Sequence, residues 1–135
     1  MHAINLRGYV MAVKHTVPIM RRQQAGSIIA IASVIALATN YPYVAYKTSK
    51  AGMVAFTEQI AAQNADVGVR ANTILPGLMD TPMAVDTRAR ETGRARADVA
   101  AERDSRVPLR RRMGTAWDVA YAALYLASER DSSPA

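Results

Sequence analysis

The sequence predicts an α/β fold in which parallel strands alternate with helices. Residues Ser27–Ala32 are a continuous β-branched run, apolar on both faces, as in a central strand covered by helices on both sides. The elements follow the order helix, strand, helix, strand, charged excursion, helix, an alternation that implies parallel strands joined by right-handed crossovers. The apolar spacing also changes between elements, recurring at three and four residues in the helical segments. Two strands do not make a stable sheet, so the sheet is expected to be partial, with strands missing from these 135 residues.

The first helix is expected from Ile4 to Met20, where Ile4, Val10, Met11, Val13, Val17 and Met20 recur at helical steps. Pro18 should kink it or mark its last turns, and Ala25-Gly26 should end it. Ser33–Tyr43 reads as a loop with Asn40 and Pro42 as breakers. Val44–Ala65 is the longest helical pattern. Its small residues Ala45, Ala51, Gly52, Ala55, Ala61, Ala62 and Ala65 allow close approach of a neighbouring element. Gly68 punctuates, and Val69–Leu75 is the second strand, broken by Pro76-Gly77. Leu78–Arg112 reads as irregular or partly helical. Thr115 is a candidate N-cap for a last helix, Trp117–Ser128, with Val119, Ala120, Ala123, Leu124 and Leu126 inward. Trp117 reads as a packing residue, and Asp131–Ala135 reads as a frayed end.

Composition narrows the function. Half of the residues are apolar and there is no cysteine, so the chain is globular, with neither a thiol nucleophile nor a thiolate metal site. His2 and His15 stand apart from any ligand cluster, so no metal is expected. No clean apolar leader precedes Met20, and the apolar stretch Ile28–Ala38 is too short to span a ~30 Å bilayer; neither a signal peptide nor a membrane span is expected. The net charge of +6 is concentrated between Arg88 and Arg112, where nine arginines face four acids. Without interleaved aromatics or a nucleic-acid motif, that segment reads as a solvated, salt-bridged surface rather than a nucleic-acid contact. There is no Gly-x-Ser-x-Gly nucleophile elbow.

Tyr46 and Lys50 are four apart on the long predicted helix and so share a face, one turn apart. A phenol titrates near ~10, too high for proton exchange near neutrality. A fixed ammonium ~5–6 Å away at an effective dielectric of ~20 favours a phenolate by about 3 kcal/mol. Tyr-x-x-x-Lys is therefore a chemically sensible acid–base pair, but Tyr43 and Lys47 have the same spacing. Ser33 lies at the carboxyl end of the first strand, where open α/β sheets bind ligands, and its hydroxyl could hold a carbonyl or alkoxide.

The stretches Ser27-Ile-Ile-Ala-Ile-Ala-Ser33-Val34, Tyr46-x-x-Ser49-Lys50-Ala51-Gly52 and Asn72-x-x-x-Pro76-Gly77-x-x-x-Thr81 closely resemble the short-chain dehydrogenase/reductase family. Asn5-Leu-Arg-Gly and Arg112-Met-Gly-Thr-x-x-Asp118-Val-Ala extend that resemblance over the whole chain. The family's active serine lies about thirteen residues before its tyrosine. This spacing selects Tyr46 over Tyr43 as the partner of Ser33.

The resemblance implies a partial Rossmann-like, doubly wound parallel sheet that lacks its N-terminal strands and its final strand. It implies one domain over 1–135, with 82–112 as a substrate-lid excursion. The implied activity is interconversion of a secondary alcohol and a ketone by hydride transfer with NAD or NADP. Tyr46 would be the general acid/base. Lys50 would favour its phenolate and bind the nicotinamide ribose, Ser33 would position the substrate, and Asn5 would hold a proton-relay water. Pro76, Gly77, Met79 and Thr81 would line the nicotinamide. A small-molecule substrate, self-association as a dimer or tetramer, a cytoplasmic location and no nucleic-acid or membrane partner complete the expectation. The family's Thr-Gly-x-x-x-Gly-x-Gly pyrophosphate turn does not occur in these residues. The 135-residue chain alone is therefore expected to be inactive. The rival reading is a non-catalytic remnant or interaction module derived from such an enzyme.

Overall fold

The computed structural model describes residues 1–39 and 42–128; the expected breaker Asn40 and the expected fray at 131–135 lie outside them. The chain divides into two compact units, Met1–Leu75 with the residues from Ala122 on, and Pro76–Tyr121.

In the first unit a π-helical turn, Ala3–Arg7, leads into helix α1, Gly8–Gln23. α1 runs five residues past Pro18 rather than breaking there. Nor does glycine end it: Gln24 takes the left-handed cap conformation at φ 53°, and its N–H reaches the Arg21 and Met20 carbonyls. The cap needs a positive φ to satisfy the last carbonyls, and Gly26 is already the first residue of strand β1, Gly26–Ile31. β1 pairs in parallel with β2, Val69–Ile74, from Gly26↔Val69 to Ile31↔Ile74. The loop after β1 contains a 3₁₀ turn, Val34–Ala36. Helix α2, Val44–Asn64, then crosses to β2 and packs on it, with a second 3₁₀ turn at Ala65–Val67. Val13, Ile28 and Val69 form the core, flanked by Tyr9, Val17, Met20, Phe56 and Ile60.

The α2 face that is buried is not the alanine face. Ala45, Ala55, Ala62 and Ala65 are exposed, whereas Ser49, Met53, Thr57 and Asn64 are buried. The polar members tolerate burial because each bonds back to its own helix: Ser49 Oγ to the Tyr46 carbonyl, Thr57 Oγ1 to Met53 and Asn64 Nδ2 to Ile60, all at 2.7 Å. Close approach does occur at Gly52, where a Cβ would stand 3.0 Å from Leu6 Cδ2.

The second unit has its own core. Short strands β3, Met79–Asp80, and β4, Gly114–Thr115, pair in parallel. Between them lie a π-helical turn, Pro82–Asp86, and helices α3, Thr87–Thr92, and α4, Arg96–Ser105. Val85, Val99 and Met113 are buried together, so this charged stretch is more ordered than its composition suggests. Apolar residues are sparse in it, and these three come together from a π-helical turn, a helix and the loop before β4.

Helix α5 spans Ala116–Ala127. Val119, Ala123 and Leu126 are half-buried as expected, but Ala120 and Leu124 are exposed. At 100° per residue, position 124 falls beside 117, and position 120 lies midway between 117 and 123, at the edge of the inner stripe. Trp117, read as a packing residue, is 70% exposed and meets the Tyr121 ring at 6.3 Å. The end of α5 is held by Ser27 Oγ and Arg70, which both donate to the Leu126 carbonyl, Arg70 also reaching Ser128.

At the start of α5, the Asp118 carboxylate accepts the Thr115 N–H at 2.6 Å and its hydroxyl at 2.9 Å, the carboxylate half of a capping box. The Thr115 N–H first, then its hydroxyl, hold this carboxyl below the usual carboxylate range. A depressed folded value gives stability that is complete above the unfolded value and is lost as pH falls through the folded one. Acidification below about pH 4 should therefore loosen the start of α5, and Asp118→Ala should do so at neutral pH. Thr115 amide exchange reads both effects; protection unchanged on acidification would contradict the assignment.

Candidate active site

Four of the residues singled out in the sequence lie in the first unit and are linked through α2. The helix begins with Tyr43 as its N-cap residue, which brings Tyr46 into the first turn and Lys50 one turn further. Lys50 Nζ lies 5.9 Å from the centroid of the Tyr46 ring. The same ammonium donates at 2.8 Å to the carbonyl of Ile31, the last residue of β1. Burial pushes the Lys50 ammonium down from its ordinary range, because desolvation disfavours the charged form.

Ser33, two residues beyond Ile31, is buried and in extended backbone; its Oγ accepts the Ile35 N–H at 3.3 Å and so caps the 3₁₀ turn. Asn5 sits in the π-helical turn before α1. Its side-chain amide donates to Ser49 Oγ at 3.2 Å, and Ser49 in turn donates to the Tyr46 carbonyl. Asn5 is thus connected to the turn of α2 that carries Tyr46, through Ser49, which is 0% exposed.

Ser49 and Lys47 were given no such role by the sequence. Ser49 stands inside the Tyr46–Lys50 motif, but a serine in a helix gives no sign of burial until its partners are known. Lys47, the alternative partner of Tyr43, instead donates to the carbonyls of Ile35 and Ala36, at 3.3 Å each, and of Ala38. Its charge is spent on the loop after Ser33.

Pro76, Gly77, Met79 and Thr81 belong to the second unit. Gly77 is exposed with open space around it. Met79 lies in β3, its side chain against Gly114. Thr81 caps the following π-helical turn, its Oγ1 accepting the Ala84 N–H at 3.3 Å. Among the described residues no group of three or more His, Cys, Asp or Glu is placed to hold a metal, and no helix is long and apolar enough to cross a membrane.

Parallel strands, crossover helices and a Tyr–Lys turn beside a strand end define the Rossmann-like oxidoreductase class. A family model described as enoyl-(acyl carrier protein) reductase matches residues 1–133, and the chain belongs to the short-chain dehydrogenase/reductase family. It is 34% identical over 131 residues to the 3-oxoacyl-[acyl-carrier-protein] reductase FabG of Thermotoga maritima, covering 96% of this chain and 49% of that protein. Aldohexose dehydrogenase of Thermoplasma acidophilum superposes with a TM-score of 0.85 at 33% identity, over 95% of this chain and 51% of the other. Xylitol dehydrogenase, solved with NAD+ bound, gives 0.83 at 27% identity, over 97% and 53%. The chain thus spans about half the length of the relatives it matches. The family's chemistry is oxidoreduction with a nicotinamide cofactor.

Proposed function

We propose that these residues are the catalytic part of an enzyme that interconverts a secondary alcohol and a ketone with NAD or NADP. The observation that supports this most is the position of Lys50, tied to the end of β1 beside Ser33 and 5.9 Å from the Tyr46 ring. Of its three N–H donors, Lys50 uses one on Ile31 among the described residues, so its donor set fits a ribose diol. Pro76, Gly77, Met79 and Thr81 would line the nicotinamide. When bound, the cofactor accepts or supplies the hydride at the substrate carbon.

The remaining chemistry falls to the chain. In the oxidative direction the Tyr46 oxygen takes the proton of the alcohol as its C–H hydride leaves; in reduction it returns that proton to the carbonyl oxygen. The Lys50 charge favours the phenolate. The Ser33 hydroxyl turns from the Ile35 N–H toward the substrate oxygen and holds it, and Asn5 holds a water that passes the proton onward. The domain is 1–135, with 82–112 as the substrate lid. Self-association and a cytoplasmic location accompany this reading.

No Thr-Gly-x-x-x-Gly-x-Gly turn occurs in these 135 residues, so we place activity in a protein that also supplies one. The chain alone should leave NADH and NADPH fluorescence unchanged and show no turnover. Fused behind the first half of the Thermotoga reductase, it should bind nucleotide and reduce ketones. A fusion that folds and binds nucleotide but never turns over would favour the non-catalytic remnant.

A further inference from the structure

The arginine-rich stretch of the second unit is not wholly consumed by surface ion pairs. Helices α3 and α4 and the turns beside them border an open pocket of about 260 Å³, lined by Arg88, Arg94, Glu102, Arg103 and Arg106 among others. Arg88, Arg94 and Arg106 act on this carboxylate, three guanidiniums against one acid. Glu102 shows how an anion is held there: its Oε2 takes Arg94 at 2.6 Å and its Oε1 takes Arg106. Each guanidinium carries five donors, and among the described residues these two make no other side-chain hydrogen bond. Arg103, 7% exposed, forms a buried part of the pocket wall. The Arg88 guanidinium forms no hydrogen bond or ion pair among the described residues, and its charge acts on Glu102 only at longer range.

We propose that this pocket binds a phosphate-class oxyanion, free or as a monoester. Guanidiniums match tetrahedral oxyanions through paired, charge-assisted hydrogen bonds, and a dianion would neutralise the excess that Glu102 leaves. A nucleic-acid surface fits less well. The cations converge on a concavity instead of tracking along a groove, and residues 82–112 contain no aromatic side chain on which a base could stack. The site stands on the second unit alone and does not depend on the oxidoreductase reading.

The experiment is isothermal titration of the 135-residue chain at low ionic strength with inorganic phosphate, pyrophosphate and glycerol phosphate. One saturable site is expected. Arg88→Gln should weaken it about fivefold, and Glu102→Gln, which removes the resident competitor, should tighten it by a similar factor. Both side chains lie at the surface, and circular dichroism should show the fold unchanged. Glycerol phosphate binding as tightly as inorganic phosphate identifies an ester as the ligand, and weaker binding identifies the free ion. Non-saturating heats, or affinities unmoved by both substitutions, overturn the proposal. So does duplex DNA that binds more tightly than pyrophosphate and indifferently to Arg88→Gln.

Discussion

Tyr46→Phe, introduced into the fused enzyme, should lower kcat by roughly 10²–10⁴-fold, the usual weight of a general acid/base, while nucleotide fluorescence titrations stay unchanged. The substitution is narrow. Phenylalanine keeps the ring that Lys50 faces at 5.9 Å and leaves the backbone carbonyl free to accept from Ser49. Only the O–H is lost, so the turn of α2 and its link to Asn5 should survive. Tyr43→Phe is the control. Its same-spaced lysine, Lys47, is engaged with the loop carbonyls, so turnover should hardly change. If Tyr46→Phe turned over within about threefold of the parent, the acid/base role would be lost, since an effect that small is no transition-state contact.

Gly68→Ala should cost about 2–4 kcal/mol, combining left-handed strain with a backbone collision. Gly68 has φ 71°, and a Cβ there would stand 2.7 Å from the Gln24 carbonyl oxygen. Neither group can move cheaply. Gln24 is itself in the left-handed cap of α1, and the two turns feed neighbouring parallel strands at the Gly26↔Val69 pair. Gly93→Ala isolates the conformational part. Gly93 has φ 66° but open space where its Cβ would be, so it should cost only about 1–2 kcal/mol. Urea unfolding of the two variants separates the contributions, and equal costs would mean that the contact with Gln24 is relieved by relaxation.

Much of the candidate site is legible one residue at a time. The spacing of Tyr46 and Lys50 puts them on one helical face, and the β-branched run before Ser33 announces a strand whose end carries a hydroxyl. The parallel pairing of β1 and β2 likewise follows from the alternation of elements, and Gly68 marks a turn that needs a positive φ. These are local or periodic properties, set by backbone geometry within a few residues.

The partners come from packing. Lys50 reaches back 19 residues to Ile31, and Asn5 reaches 44 residues forward to Ser49; no local pattern encodes such pairs, because they exist only once α1, β1 and α2 are packed. The buried stripe of α2 passes through Ser49 and Thr57 instead of the alanines, since a hydroxyl satisfied by its own helix carries little penalty in a core. Lys47 and Lys50 are alike in the chain, yet one holds a loop and the other faces the tyrosine. In the second unit, arginines spread over nineteen positions, 88 to 106, converge on a single carboxylate. Residue types and their spacing set which chemistry is present and in what order. Packing determined which groups meet, because hydrogen bonds and charges act over a few ångströms of space and not along the chain.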